Sequence, residues 1–122
     1  MTMQKTISSF DVEILRRSIE QLDAEALINL YADGAEMQSV NRYSPPSSPE
    51  VLRGKEEIAE HLRNVCGQDV KARVEREVVA EDHMAYILTL EYPAGTRLLC
   101  ATVLDVRDGK IVREVGVQAW DE

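Results

Sequence analysis

The chain is short of the residues that most often announce a chemistry. It has two cysteines and two histidines in 122 residues. Cys66 and Cys100 lie far apart, outside any CxxC spacing, and two histidines are too few to complete a zinc site. No metal and no cofactor is expected, and free thiols in a reducing cytoplasm are the default reading. Positive charge is scarce as well: 14 Lys and Arg stand against 22 Asp and Glu, for a net charge of −8. Nucleic-acid binding and attraction to anionic membranes both need clustered cations, so neither is expected. The opening MTMQKTISSFDVEIL has no continuous apolar run, which predicts neither a signal peptide nor a membrane span. Nucleophile motifs are missing too, since neither Ser39 nor Cys100 sits in a GxSxG setting.

What is present is an ordinary globular composition, 44% apolar and 30% charged. A chain of this length buries roughly two-thirds of its unfolded surface without staples, so one domain over residues 1–122 is expected. Ser8 or Ser9 can cap a first helix, with Ile14, Leu15, Ile19 and Leu22 on its apolar face. Asp23 can cap a second helix, in which Leu27, Leu30 and Tyr31 recur at helical spacing and Gly34 marks the stop. A strand around Glu36–Val40 leads into NRYSPPSSPE, a Pro- and Ser-rich loop. Tyr43 in that loop is either a packing anchor or a cover over a pocket mouth. Gly54 and Lys55 open a third helix with Ile58, His61, Leu62 and Val65 on one face, ended by Gly67.

From Asp69 the period changes to two. Val70, Ala72, Val74 and Val78 alternate with charged residues; after a turn, Met84, Tyr86, Leu88, Leu90 and Tyr92 share a face. Leu98–Val106 is apolar at almost every position, which asks for cover on both faces. Helices can cover one, and a second copy of the chain is the simplest cover for the other, so a homodimer through the sheet is expected. Asp108-Gly109 is a hairpin signal before the last strand, which sets Val115, Val117 and Ala119 against Glu114, Gly116, Gln118 and Trp120. Three helices and a mostly antiparallel sheet give an α+β fold, a cone whose helices close one side of a pocket.

LYADGAEM, the Pro-rich loop, LRGKEEIAEHL and VRDGKIVRE together resemble the SnoaL-like branch of the nuclear transport factor 2-like superfamily. That superfamily includes polyketide cyclases, ketosteroid isomerase and limonene epoxide hydrolase. The resemblance covers the chain from about Ser8 and implies a cystatin-like, cone-shaped α+β barrel. Its scaffold hosts enzymes, binders and assembly domains alike. In ketosteroid isomerase a Tyr and an Asp hold the oxyanion and another Asp is the base. The matching positions here are Leu15, Thr102 and Ser39, none of which can do those jobs, so that mechanism is disfavoured.

The same registry points His61, Tyr86, Thr102, Glu114 and Gln118 inward. His61 and Glu114 are the candidate acid–base pair, because burial and a carboxylate neighbour can tune an imidazole. The bland alternative makes His61 a hydrogen-bonded lining residue and Glu114 solvent-facing. Ser39, Tyr43, Tyr86, Cys100, Thr102, Gln118 and Trp120 are candidate contacts to a small apolar molecule. Three readings stay open: an acid–base enzyme on an apolar, oxygenated substrate, a binder without catalysis, and a dimerisation module with a filled interior.

Overall fold

Two aspartates decide where the chain first turns helical. In the computed structural model, which describes residues 10–121, the Asp11 carboxylate accepts from the Glu13 and Ile14 N–H groups and starts α1 (Val12–Glu20). Ser8 and Ser9, expected to cap this helix, lie outside the described residues. Asp23 accepts from Ala26 N–H and starts α2 (Ala24–Ile28), as its position suggests.

The second helix is much shorter than its apolar spacing predicts. Leu30 and Tyr31 have already left it: the Leu30 carbonyl accepts from Ile111 N–H at 2.8 Å, and Tyr31 opens β1 (Tyr31–Val40). Gly34 therefore stops no helix; it lies in β1, in the irregular stretch between Tyr31 and Glu36. Pairing with the last strand captures backbone that a second helical turn would have used. A strand the sequence did not announce, β2 (Glu50–Arg53), returns antiparallel to β1 across the Pro-rich loop. Gly54, at φ 90°, then turns the chain into α3 (Lys55–Cys66), a conformation that glycine accepts without strain.

The remaining strands are β3 (Lys71–Val79), β4 (His83–Glu91), β5 (Arg97–Arg107) and β6 (Lys110–Trp120). They join β1 and β2 in one curved, unclosed six-stranded sheet of order β2-β1-β6-β5-β4-β3, parallel only between β1 and β6. The architecture is the cone-shaped α+β fold, with helices on the inner face. Asp108 and Gly109 both take positive φ in the β5–β6 turn, as a tight hairpin requires. Phe10, Leu15, Ile58, Met84, Leu104 and Ile111 are fully buried between the layers. On the edge strand β3, Val74 N–H donates to Glu20 of α1 at 2.9 Å, and Arg16 bridges Glu20 and Glu77. That covers an otherwise unpaired edge. None of the described helices is long and apolar enough to cross a membrane.

Two irregularities decide which side chains face in. Register slips between Glu75 and Val78, where Arg76 sits at φ 60°, and the alternation changes phase. Val78, expected inside, is consequently 66% exposed. The second slip falls between Asp105 and Val106: Val106 pairs with Ile111, whereas Leu104 pairs with Glu114. Ile111 and Glu114 thus both face the core, although simple alternation from Ile111 would have sent Arg113 and Val115 there. Along β5, Leu98, Cys100, Thr102, Leu104 and Val106 point in and are buried; Leu99 and Val103 point out and are each 48% exposed.

Candidate active site

Between the helices and the sheet lies a chamber of about 80 Å³. Its wall is mostly apolar, with Leu15, Ile19 and Leu27 from the first two helices and Leu22 from the turn between them, Leu62, Val65 and Cys66 from α3, and Ala72, Leu88 and Leu90 from the sheet. Three polar side chains converge on it: Tyr31 from β1, Tyr86 from β4 and Glu114 from β6. Each arrives by a local feature already described. Tyr31 points in because it begins a strand, Tyr86 by regular alternation, and Glu114 by the slip at the start of β6.

The Tyr31 hydroxyl donates to Glu114 Oε1. Burial pushes the Glu114 carboxyl above its ordinary value, and the Tyr31 hydrogen bond opposes that push. Tyr31 is the only hydrogen-bond donor to Glu114 among the described residues, and no buried side-chain oxygen there lacks a partner. The second carboxyl oxygen has no hydrogen-bond partner among the described residues, and Glu114 lines the chamber. Burial also drives the Tyr31 and Tyr86 phenols well above their ordinary values, with the Glu114 charge adding to both. The neighbouring Thr102 hydroxyl opposes the shift at Tyr86. Thr102 in turn sits 3.4 Å from Cys100 Sγ, a thiol that burial raises. The arrangement is a carboxyl acceptor and a phenol donor facing one small apolar space. Such a pair can take up a proton on one side of a molecule and steady an oxygen on the other.

The other anticipated residues lie elsewhere. His61 is not among the residues lining the chamber; it precedes Leu62 on α3, and the Glu50 charge partly offsets the lowering of its pKa by burial. The fold thus brings Glu114 to Tyr86 and sets His61 apart. Ser39 accepts from Asn41 Nδ2 at 3.2 Å. At the opposite end of the sheet from Tyr31, Gln118 accepts from Trp120 Nε1 at 3.0 Å, Trp120 stacks on Tyr92 with ring centroids 5.7 Å apart, and the Arg42 guanidinium lies over Trp120 at 4.3 Å. Tyr43 is 82% exposed beside the same arginine, so it is not a buried anchor. Trp120 and Tyr92 pack on the cluster of Val70, Leu90 and Leu98, of which only Leu90 also lines the chamber. Leu15 lines the chamber without a polar group, and Thr102 is buried but not in its wall.

Helical spacing hides the role of Tyr31, because it places that residue in a core stripe. A tyrosine in an apolar stripe is itself a signal, since its hydroxyl must find a partner when buried. Among the described residues no group of three His, Cys, Asp or Glu is placed to hold a metal ion.

In solved structures the same fold recurs at low identity. A protein of unknown function from Mesorhizobium loti, described as NTF2-like, superposes with a TM-score of 0.79 at 19% identity, covering 98% of this chain and 97% of that one. A protein from Kribbella flavida proposed to be a ketosteroid isomerase gives 0.72 at 19% identity, over 90% of this chain and 74% of that one. A de novo designed protein with a curved β-sheet gives 0.71 at 16% identity, over 88% and 83%. That last likeness shows that the architecture by itself carries no activity. No protein of curated function matches the chain in sequence. The SnoaL-like domain model, however, matches residues 12–114, most of both layers and every chamber residue, and the chain belongs to that family.

Proposed function

We propose that this protein is an acid–base enzyme of the isomerase or cyclase type, acting on a small uncharged carbonyl compound. Glu114 takes a proton from the carbon next to the carbonyl. The electron pair moves onto the carbonyl oxygen, which accepts a hydrogen bond from the Tyr86 hydroxyl, and Glu114 returns the proton at a second position. Tyr31 holds the carboxyl in place. The observation that carries this reading is that Glu114 and Tyr86 line the same chamber, with one Glu114 oxygen left without a hydrogen-bond partner among the described residues. A carboxyl raised by burial is also a better base near neutral pH than an exposed one.

Proton exchange tests this without the natural substrate in hand. Small ketones are incubated with the protein in D₂O and loss of their α-proton signals is followed by NMR. The expected outcome is accelerated exchange that falls about 10²- to 10⁴-fold in Glu114→Gln, and substantially in Tyr86→Phe. His61→Ala should leave the rate within a factor of about three, since the imidazole is outside the chamber. Ligand binding with no exchange in the unaltered protein would favour the non-catalytic binder instead.

A second reading concerns assembly. Leu99, Val103 and Val117 on the outer face are each about half exposed, at 48%, 48% and 50%. We place a second copy of the chain there, making a homodimer through the sheet. The two free thiols, Cys66 and Cys100, suit the reducing cytoplasm.

A further inference from the structure

The donors and acceptors of the chamber, taken with its size, narrow the ligand class beyond a small carbonyl compound; this step rests on the chamber being a ligand site. Among the described residues Glu114 is the only charged side chain in the wall, and no described Lys, Arg or His accompanies it there. An anionic ligand would place two like charges together in an apolar space with no cation to offset them. An ionised Glu114 therefore disfavours carboxylates and phosphates. A plain ketone satisfies only half of the site, because it accepts from Tyr86 but has no proton for the free Glu114 oxygen. A molecule with a hydroxyl beside its carbonyl satisfies both. A water-sized group needs about 10–15 Å³ of such space, so a chamber of about 80 Å³ takes roughly five to eight non-hydrogen atoms.

We infer that the chamber binds short, uncharged α-hydroxycarbonyl compounds, with the hydroxyl donating to Glu114 and the carbonyl accepting from Tyr86. Four-ring substrates do not fit this space.

Three probes of similar shape test this: 3-hydroxybutan-2-one, butan-2-one, and lactate, which replaces a methyl ketone by a carboxylate. Binding of each to the full chain at pH 7.5 is measured by saturation-transfer NMR and thermal unfolding, with cyclohexanone as a larger apolar control. The hydroxyketone should bind about tenfold or more tightly than butan-2-one, because it adds a hydrogen bond to a charged group. Lactate should show no binding at the same concentration. In Glu114→Gln the lactate deficit should shrink at least severalfold. Tyr86→Phe should weaken both ketones, and circular dichroism checks that each variant is folded.

Lactate binding as tightly as the hydroxyketone, or butan-2-one matching it, would overturn the α-hydroxycarbonyl assignment while leaving the chamber a ligand site. Binding of cyclohexanone alone would do the same. No binding by any of the four would remove the ligand reading of the chamber itself, and the present inference with it.

Discussion

Glu114 is stable where it is because Tyr31 answers part of what burial costs it. A buried carboxyl with a raised pKa holds its proton more tightly in the folded chain than in the unfolded one. Its contribution is thus most favourable below the ordinary carboxyl value of 4.5, declines as pH rises through the raised folded value, and is level beyond it. Removing the Tyr31 hydroxyl should deepen and extend that decline, since the ionised form loses its one donor. Tyr31→Phe is expected to cost about 0.5–1.5 kcal/mol below the ordinary carboxyl value of 4.5, where a neutral pair is lost, and about 1.5–3 kcal/mol above the raised folded value, where a bond to a charge is lost. Urea unfolding of both proteins in the two pH ranges measures the difference. An equal cost at both would mean that Glu114 does not ionise in the folded protein. The same hydroxyl positions the carboxyl for chemistry, so exchange activity in Tyr31→Phe should peak at a higher pH than in the unaltered chain.

The elements owe their faces to two local departures from regular pairing, and each is open to substitution. Arg76 occupies the left-handed region at φ 60° in the β3 bulge, where a side chain is strained. Arg76→Gly should therefore leave stability unchanged or raise it by up to about 1 kcal/mol, whereas Arg73→Gly on the regular part of the same strand should cost about 0.5–1 kcal/mol. Thermal unfolding of the pair checks the contrast, and equal losses would mean that the bulge imposes no strain. These slips also mark the limit of what periodicity reveals. The alternation of β4 and β5 is readable because both strands keep register along their shared length, and Tyr86 and Thr102 face in as expected. Alternation misplaces Val78 because nothing in VEREVV marks the extra residue. Resemblance assigns Glu114 inward, while the alternation of its own strand around Ile111 favours the opposite face. Helical spacing overextends the second helix for a different reason: Leu27, Leu30 and Tyr31 do turn toward the core, but a short helix followed by a strand achieves it as well as a longer helix. His61 and Glu114 make a plausible pair in sequence because both can face inward; which side of α3 meets which strand is a tertiary fact that spacing does not contain.

At the scale of the whole molecule the outer face of the sheet is the unfinished surface. Cross-strand register arranges it in rows. Lys71, Glu91 and Arg97 form a charged row at one border, and His83, Asp105 and Arg113 another at the far border. Between them run Arg73, Thr89, Leu99 and Ala119, then Glu75, Ile87, Ala101 and Val117, then Val78, Ala85, Val103 and Val115. Three rows that are nearly apolar across β4, β5 and β6, framed by charges at both borders and by Arg73 and Glu75 on β3, have the anatomy of an interface, with a dry centre and a polar rim that selects its partner. A second copy related by a two-fold axis presents the same rows, so the apolar rows cover one another and the rims meet. Sedimentation at micromolar concentration should accordingly find a dimer. Val103→Lys places a charge at the centre of those rows while leaving the inner face untouched, and should weaken association by at least about 100-fold, consistent with truncating or charging the core of an interface. The variant should keep its fold, because Val103 points away from the chamber and is already 48% exposed within one chain. Loss of folding together with association would instead make the outer rows part of an obligate assembly. A monomer of the unaltered chain at high concentration would leave the apolar rows without the partner assigned to them.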